Sequence, residues 1–291
     1  MGATGYVGRS ALEALWAETV MAVRDVRALP DGRSLSVGDV VVNCAGSVGF
    51  DQPTLEAVNV ELARDVARHA AAAGAHLIHV SSAAVFDGVR RGRVDEASSP
   101  QPVTAYGRSK ARGEDAVRAA LPEARIVRPS KVIGGDDPRR RLHALILHAG
   151  RGRPLPVPPR EPLWANFVSS AQVGTGLREI ALHCTTAPSV VHLTATVPWV
   201  ELVSLLEAAL GRPVGRLPRA LTAASGRLAE VVARLPAHAR PRHAQRLLEI
   251  WDLQEFTTSR TPVPADGLAQ AIEQIARTYG LGVTRQERQR S

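Results

Sequence analysis

The stretch Gly2-Ala3-Thr4-Gly5-Tyr6-Val7-Gly8 decides the fold expected of this chain. Glycines at every third position let the backbone turn sharply from a strand into a helix and approach a pyrophosphate held at the helix N-terminus. An amphipathic pattern typical of that helix follows over residues 9–17. The stretch therefore predicts a dinucleotide-binding turn in a doubly wound α/β sheet.

Only Met1 precedes this turn. A doubly wound sheet places a central, buried strand directly before such a turn, and without that strand its neighbours have unpaired ladder groups. We therefore expect that the first strand is missing from this chain and that the native gene product starts some residues upstream.

Strand-like and helical patterns alternate up to about residue 135, as in a parallel sheet covered by helices on both faces. The predicted strands span residues 19–23, 35–37, 39–44, 75–80 and 125–127, and the predicted helices span residues 53–73 and 105–120. Small or polar residues follow three of these strands: Cys44, Ala45 and Gly46; Ser82 and Ala83; Arg128 and Ser130. Because the carboxyl ends of parallel strands meet at one edge of the sheet, these residues predict a ligand crevice there.

Tyr106 and Lys110 lie four residues apart in the predicted helix over residues 105–120, so their side chains share one face. Of the 36 basic residues only two are lysines, Lys110 and Lys131. Arginine nearly everywhere else indicates that position 110 needs a compact ammonium rather than a planar guanidinium. The spacing alone also fits an ordinary solvated helix face, and it is the predicted crevice that favours a catalytic pair.

The end of the second predicted strand bears on the choice between NAD and NADP. An acid there usually binds the adenosine ribose hydroxyls, whereas an arginine nearby suits a 2′-phosphate. Arg24 and Arg27 favour NADP, and Asp25 is the argument for NAD.

The alternating pattern stops after residue 135, where the dinucleotide-binding domain is predicted to end. Residues 164–195 are expected to return to the sheet, while residues 136–163 and 196–284 form a smaller, mostly helical substrate-binding lid. The helices predicted after residue 135 span residues 139–149, 199–210, 221–235, 244–252 and 268–279. Residues 285–291 are predicted to form a flexible basic tail.

Composition excludes several classes of protein. The chain is 45% hydrophobic and 22% charged, as in a soluble globular protein, and neither a membrane span nor a signal peptide is evident. We therefore expect a cytoplasmic location. Two cysteines predict neither a disulfide framework nor a metal cluster. The formal charge of +8 comes from scattered arginines, which do not indicate a specific nucleic-acid partner.

In order and spacing, the motifs resemble the extended short-chain dehydrogenase/reductase superfamily, also called the NAD-dependent epimerase/dehydratase family. The resemblance covers residues 2–135 well and the remainder only loosely. Its motifs are GATGYVG at 2–8, NCAG at 43–46, Ser81-Ser82, YGRSK at 106–110 and RPSKVIG at 128–134. VFDG at 85–88 ahead of YGRSKARGE is most similar to dTDP-4-dehydrorhamnose reductases, which reduce a 4-keto nucleotide sugar. A Rossmann-type fold is implied.

The resemblance implies an NAD(P)-dependent oxidoreductase or epimerase in which Ser82, Tyr106 and Lys110 are catalytic. Tyr106 would exchange a proton with a substrate oxygen, Lys110 would hold the nicotinamide ribose and supply a positive charge, and Ser82 would hydrogen-bond the same oxygen. Cofactor contacts are implied for Gly2, Thr4, Gly5, Tyr6, Val7, Gly8, Arg24, Asp25, Cys44, Ala45, Gly46, Tyr106, Lys110 and Arg128. Substrate contacts are expected from Ala83, Ser130 and Asn166, and a structural role from Asn59.

The sequence also departs from the rhamnose reductases, which have an acid and an aromatic residue at the positions of Ala83 and Ala84. The sequence therefore does not identify the sugar substrate. A cofactor-binding regulatory subunit without catalysis and a hydroxysteroid-type dehydrogenase are the alternative functions. A small-molecule substrate is the expected partner, no metal is expected, and a homodimer is compatible with the sequence.

Overall fold

The computed structural model describes residues 1–15, 34–48, 51–87, 92–134, 141–155, 164–216, 254–256 and 263–281. The predicted strand over residues 19–23, with Arg24 and Asp25 after it, lies outside the described residues. So do the predicted helices over residues 221–235 and 244–252 and the basic tail.

The described part of the chain alternates between strands and helices. Its strands are β1 (Val40–Asn43), β2 (His76–Val80), β3 (Gly92–Val94), β4 (Arg125–Pro129), β5 (Lys131–Ile133), β6 (Trp164–Ser169), β7 (Val190–Leu193), β8 (Ala195–Pro198) and β9 (Gln254–Phe256). Its helices are α1 (Tyr6–Ala14), α2 (Gln52–Glu56), α3 (Leu62–Ala73), α4 (Ala105–Ala120), α5 (Arg141–Gly150), α6 (Ser170–Leu182), α7 (Trp199–Leu210) and α8 (Asp266–Thr278).

A four-stranded parallel sheet in the order β1-β2-β4-β7 carries the predicted crevice at its carboxyl edge. One face packs against α3 and α4, where Val66 and Val117 meet Leu77 and Ile126 of the sheet. The other face packs against α1 and α6. Helices therefore cover the sheet on both faces, which confirms the predicted doubly wound α/β architecture.

The outer edge of β1 pairs with Met1. The amino group of Met1 donates a hydrogen bond to the Val42 carbonyl oxygen at 3.0 Å, and its own carbonyl oxygen accepts one from the Cys44 amide at 3.1 Å. Burial lowers the pKa of this amino group. Met1 therefore fixes the glycine turn that follows it against the end of β1.

The predicted strand over residues 35–37 is wrong. The Asp39 carboxylate accepts a hydrogen bond from the Ser36 amide at 2.8 Å, and the Asp39 amide donates to the Ser36 carbonyl oxygen at 3.1 Å. Gly38 adopts a positive φ of 89°, a conformation that suits a turn rather than a strand. Val37 is left 86% exposed.

The predicted helix over residues 53–73 is confirmed with one modification. It runs from α2 to α3 through a π-helical turn, Ala57–Glu61, and ends at Gly74 in the left-handed conformation. Such turns occur frequently at functional sites, and this one contains the buried Asn59.

A second hydrophobic core lies beyond the central sheet. The strands β5, β6 and β8 form a three-stranded sheet, with β5 and β6 parallel and β6 and β8 antiparallel. Its core partners come from α5, α7 and α8. In a smaller unit, β3 pairs with β9. No helix among the described residues is long and apolar enough to cross a membrane.

Candidate functional site

The glycine turn at the N-terminus packs against the turn after β1. A Cβ at Gly2, where φ is +71°, would lie 2.6 Å from the Ala45 amide nitrogen, and a Cβ at Gly8 would lie 2.0 Å from the Gly2 carbonyl oxygen. Gly5 is the N-cap of α1 and adds no side-chain hydrogen bond to it. A helix N-terminus favours negative charge, so the start of α1 is suited to bind an anion. Thr4 lies exposed in this turn, and Tyr6 and Val7 begin α1.

The turn after β1 is shaped by Asn43. Its side-chain oxygen accepts a hydrogen bond from the Ala45 amide at 3.1 Å, and its amide nitrogen lies 3.3 Å from Nδ1 of His79. His79 is fully buried, and that burial, followed by the charge of Lys110, lowers its pKa well below the usual value. A neutral imidazole therefore supports the turn. Burial also raises the pKa of the Cys44 thiol to about 11.

Lys110 reaches from α4 to the end of β2. Its side chain is only 2% exposed, and its Nζ donates a hydrogen bond to the Val80 carbonyl oxygen at 2.8 Å. A Cβ at Gly46 would lie 4.0 Å from the same Nζ. Burial lowers the pKa of Lys110 to about 8, against the raising effects of Glu114 and Cys44. An ammonium therefore lies where the turns after β1 and β2 meet.

The 3₁₀ turn after Ser82 and the start of α4 are brought together by close packing at Gly107. Ser82 is the N-cap of a short 3₁₀ turn, Ala83–Phe86, and its Oγ accepts a hydrogen bond from the Ala84 amide at 3.2 Å. A Cβ at Gly107 would lie 2.4 Å from the Ala84 carbonyl oxygen. Glycine therefore lets α4 begin directly against this turn, with the half-buried Tyr106 beside it in sequence.

Asp87 and Thr104 fix the start of α4. Thr104 is the N-cap, and its Oγ1 accepts a hydrogen bond from the Gly107 amide at 2.9 Å. The Asp87 carboxylate accepts hydrogen bonds from the Thr104 hydroxyl and from the Val103 amide. The predicted helix over residues 105–120 is confirmed, and its first turn is held to the Ser82 segment.

Asn59 joins the π-helical turn to α4 and to the turn after β1. Its Oδ1 accepts a hydrogen bond from the Ser47 amide, and its Nδ2 donates to the Ser47 carbonyl oxygen and to Ser109 Oγ, all at 2.9 Å. These partners saturate the amide with protein contacts. They are what the predicted structural role requires.

Arg128 was expected to contact the cofactor, but the structure gives it a protein partner. Its Nε and Nη2 donate to the two carboxylate oxygens of Glu114 at 2.9 and 2.7 Å, and both side chains are at most 2% exposed. Its guanidinium also lies 5.0 Å from the centroid of the Phe86 ring. Sequence analysis missed Glu114, although its position four residues after Lys110 places it on the same face of α4.

The three expected substrate residues lie in three different segments of the chain. Ala83 is the first residue of the 3₁₀ turn after Ser82. Ser130 directly follows β4, and its hydroxyl is buried without a hydrogen-bond partner in the described part of the chain. Asn166 is buried in β6, where its Oδ1 accepts a hydrogen bond from Thr196 at 2.7 Å. Substrate contact by these residues stays a prediction.

A pocket of about 350 Å³ lies elsewhere, between the start of α6 and the exposed side of α8. Ser170, Gln270 and Gln274 are among its lining residues. None of the predicted catalytic residues lines it. Within the described ranges, no three His, Cys, Asp or Glu side chains are placed to hold a metal ion.

Comparison with known proteins adds an independent line of argument. Residues 1–158, more than half of the 291-residue chain, match the family described as the RmlD substrate binding domain. A dTDP-4-dehydrorhamnose reductase of Mycobacterium tuberculosis is 42% identical over 112 residues. This match covers 35% of the chain and 37% of the relative, so the chain matches little more than a third of that relative's length.

Two solved structures share the fold over nearly the whole chain. A dTDP-4-dehydrorhamnose reductase from Yersinia enterocolitica has a TM-score of 0.65 at 20% identity, covering 94% of this chain and 97% of that structure. MoeE5 in complex with UDP-glucose and NAD has a TM-score of 0.61 at 20% identity, with coverages of 96% and 98%. At these identities the likeness confirms the Rossmann-type fold.

Proposed function

The chain belongs to the RmlD substrate binding domain family, and from that premise we propose that it is an NAD(P)H-dependent oxidoreductase that reduces a keto group of a nucleotide sugar. The observation that carries this proposal is the position of the Lys110 ammonium. It is buried within hydrogen-bond distance of the end of β2, close to Gly46 and four residues after Tyr106. The M. tuberculosis relative, named a dTDP-4-dehydrorhamnose reductase, supports the substrate class.

The residues at the carboxyl edge of the sheet fit a dinucleotide. Side chains at Gly2 and Gly8 would collide with backbone atoms, so the turn can close only with glycine at these positions, as in turns that a pyrophosphate approaches closely. We infer that Gly2, Thr4, Gly5, Tyr6, Val7 and Gly8 hold that group, that Cys44, Ala45 and Gly46 line the next part of the crevice, and that Lys110 reaches the ribose. When bound, the nicotinamide supplies the hydride.

Tyr106 is proposed to give its phenol proton to the substrate carbonyl oxygen as that oxygen gains negative charge. A phenol is ordinarily a weak acid near neutral pH, with a pKa of about 10, and a positive charge on the same helix face stabilises the phenolate that remains. The ammonium form of Lys110 predominates below its pKa of about 8, so Lys110 supplies that charge at neutral pH.

Ser82 is proposed to donate its hydroxyl proton in a hydrogen bond to the same substrate oxygen. Its Oγ already accepts from the Ala84 amide, which leaves the hydroxyl hydrogen to donate. Two donors directed at one oxygen stabilise charge that develops in the transition state. Together the two groups define a site for reduction of a carbonyl.

The function is tested by titrating the purified chain with NADH and NADPH and then following nicotinamide oxidation with a panel of dTDP- and UDP-linked keto sugars and keto steroids. We expect binding of at least one cofactor and its oxidation with a keto sugar nucleotide. Oxidation with keto steroids alone would replace the sugar substrate class. Cofactor binding without oxidation by any compound would favour a non-catalytic, cofactor-binding subunit.

A further inference from the structure

Helix α4 presents Tyr106, Lys110 and Glu114 at successive four-residue intervals. Glu114 is 1% exposed and has no part in the proton and hydride transfers proposed above. A carboxylate buried this deeply is costly unless it is paired and hydrogen-bonded. Its partners therefore indicate what it does.

The partners of Glu114 belong to the segment that ends in Ser82. Ser81 Oγ donates a hydrogen bond to Glu114 Oε1 at 2.6 Å, and Ser81 directly precedes Ser82. One residue earlier, the Val80 carbonyl oxygen accepts the hydrogen bond from Lys110. Two consecutive residues before Ser82 are therefore attached to α4, one by Lys110 and the other by Glu114.

Arg128 extends this attachment to the other end of the 3₁₀ turn. Both of its bonded nitrogens contact Glu114, and its guanidinium stacks on Phe86, the last residue of the turn that Ser82 caps. A bidentate guanidinium–carboxylate pair fixes both distance and orientation. The pair thus contacts this segment at Ser81, before the turn, and at Phe86, the last residue of the turn.

We propose that Glu114 is a positioning residue of the site: its carboxylate fixes the Ser82 turn through Ser81 and Arg128 and places a negative charge about one helical turn from Lys110 on the same face of α4. The functional importance of Ser82 and Lys110 rests on the proposed reductase activity. The charge effect on Lys110 is a property of the protein alone and does not require substrate or cofactor.

The protonation of Lys110 depends on the charged and titratable groups that surround it in the described part of the chain. Glu114 on the same helix and Cys44 after β1 both raise the pKa of Lys110, while burial lowers it to about 8. His79 on β2 is neutral because burial and Lys110 lower its pKa. Arg128 on β4 and Arg118, whose Nη1 lies 3.9 Å from Glu114, face the carboxylate. Glu114 is therefore the main source of negative charge for Lys110.

The two lysines make a direct test feasible. Incorporation of ¹³Cε-labelled lysine gives signals from Lys110 and Lys131 only, and Lys131→Arg identifies the Lys110 signal. In Glu114→Gln, which preserves size and removes charge, we expect the Lys110 titration midpoint to fall by about one pH unit. The matched control is Glu56→Gln, which removes the carboxylate partner of Arg112 on the outer side of α4 and should leave the midpoint unchanged.

An unchanged Lys110 midpoint in folded Glu114→Gln would overturn the proposal. If the unpaired Arg128 prevents that variant from folding, Glu114→Gln/Arg128→Met is compared with Arg128→Met, because these two variants differ only in the charge at position 114, and the Lys110 midpoint should be lower in the double variant. In the reductase assay, loss of the ammonium at lower pH should also move the alkaline limb of the kcat/KM profile to lower pH in Glu114→Gln. The NMR titration decides the charge effect of Glu114 on Lys110 even if no keto sugar is reduced, and an inactive wild-type chain bears only on the proposed function.

Discussion

Gly107 sets the distance between the two segments that carry the predicted catalytic groups. A Cβ there would lie 2.4 Å from the Ala84 carbonyl oxygen and 2.8 Å from the Asp87 carboxylate. Neither oxygen can move away easily, because the first is a backbone atom and the second belongs to a carboxylate that is hydrogen-bonded to Thr104. The glycine of the YGRSK motif is therefore required by packing between α4 and the Ser82 turn.

Gly107→Ala should lower the free energy of unfolding by about 1–3 kcal/mol, the usual cost of overpacking, and should lower turnover because the Ser82 turn is displaced. Urea unfolding and initial rates measure the two effects. Gly176→Ala is the control, because the three atoms nearest to a Cβ in that α6 position belong to the side chain of Leu193 and not to the backbone. Equal effects of both substitutions would contradict the packing account.

At the residue scale, the sequence indicated candidate site residues but not the hydrogen-bond partners of their side chains. The structure places the Lys110 ammonium at the end of β2, two residues before Ser82, and the catalytic roles of Ser82, Tyr106 and Lys110 stay predictions. Arg128 and Asn166 bind Glu114 and Thr196, which the sequence did not indicate, and their contacts to cofactor and substrate stay predictions. Which buried acceptor a side chain selects depends on packing across elements, and spacing along one element does not report it.

The N-cap residue Thr104 fixes where helix α4 begins. Thr104 satisfies the Gly107 amide and is itself bonded to Asp87, so the cap fixes both the start of the helix and its direction away from the Ser82 turn. The VFDG motif ahead of YGRSK is thereby explained, because its aspartate supplies this contact. The capping geometry belongs to the element that carries Tyr106 and Lys110.

Loss of this cap should therefore affect stability and activity together. Thr104→Ala is expected to lower the free energy of unfolding by about 1 kcal/mol and to reduce turnover. Ser169→Ala is a matched control: it removes the capping box of α6, with a similar cost in stability and no loss of turnover. If both variants keep full turnover, the start of α4 is not what positions the site.

Strand prediction succeeded where burial was continuous and failed where a turn competed. The valine-rich run of β1 and the apolar run of β2 pair in parallel as expected. At residues 35–37 the apolar residues suggested a strand, but the Ser36–Asp39 hydrogen bonds and the positive φ of Gly38 close a turn instead. A short apolar segment beside Asp and Gly can form either a strand or a turn, and its hydrophobic pattern does not show which.

The whole molecule combines a doubly wound sheet with a second core built from β5, β6 and β8 and from α5, α7 and α8. The sequence indicated the first unit through its glycine turn and strand ends. For the second core, the sequence predicted helices but did not predict the antiparallel pairing of β6 with β8. The homodimer, the cytoplasmic location and the preference for NADP stay predictions.

We propose Tyr106 as the proton donor of a site to which the sheet, α4 and the Ser82 turn all contribute. The most direct test compares Tyr106→Phe with wild type for keto sugar reduction and for cofactor binding. Tyr279→Phe is the matched control, because it also removes one phenol hydroxyl, the partner of His143 Nδ1. We predict that Tyr106→Phe binds cofactor normally and loses turnover by roughly 100- to 10,000-fold, with turnover unaffected in Tyr279→Phe. Turnover in Tyr106→Phe equal to that of wild type would contradict the assignment.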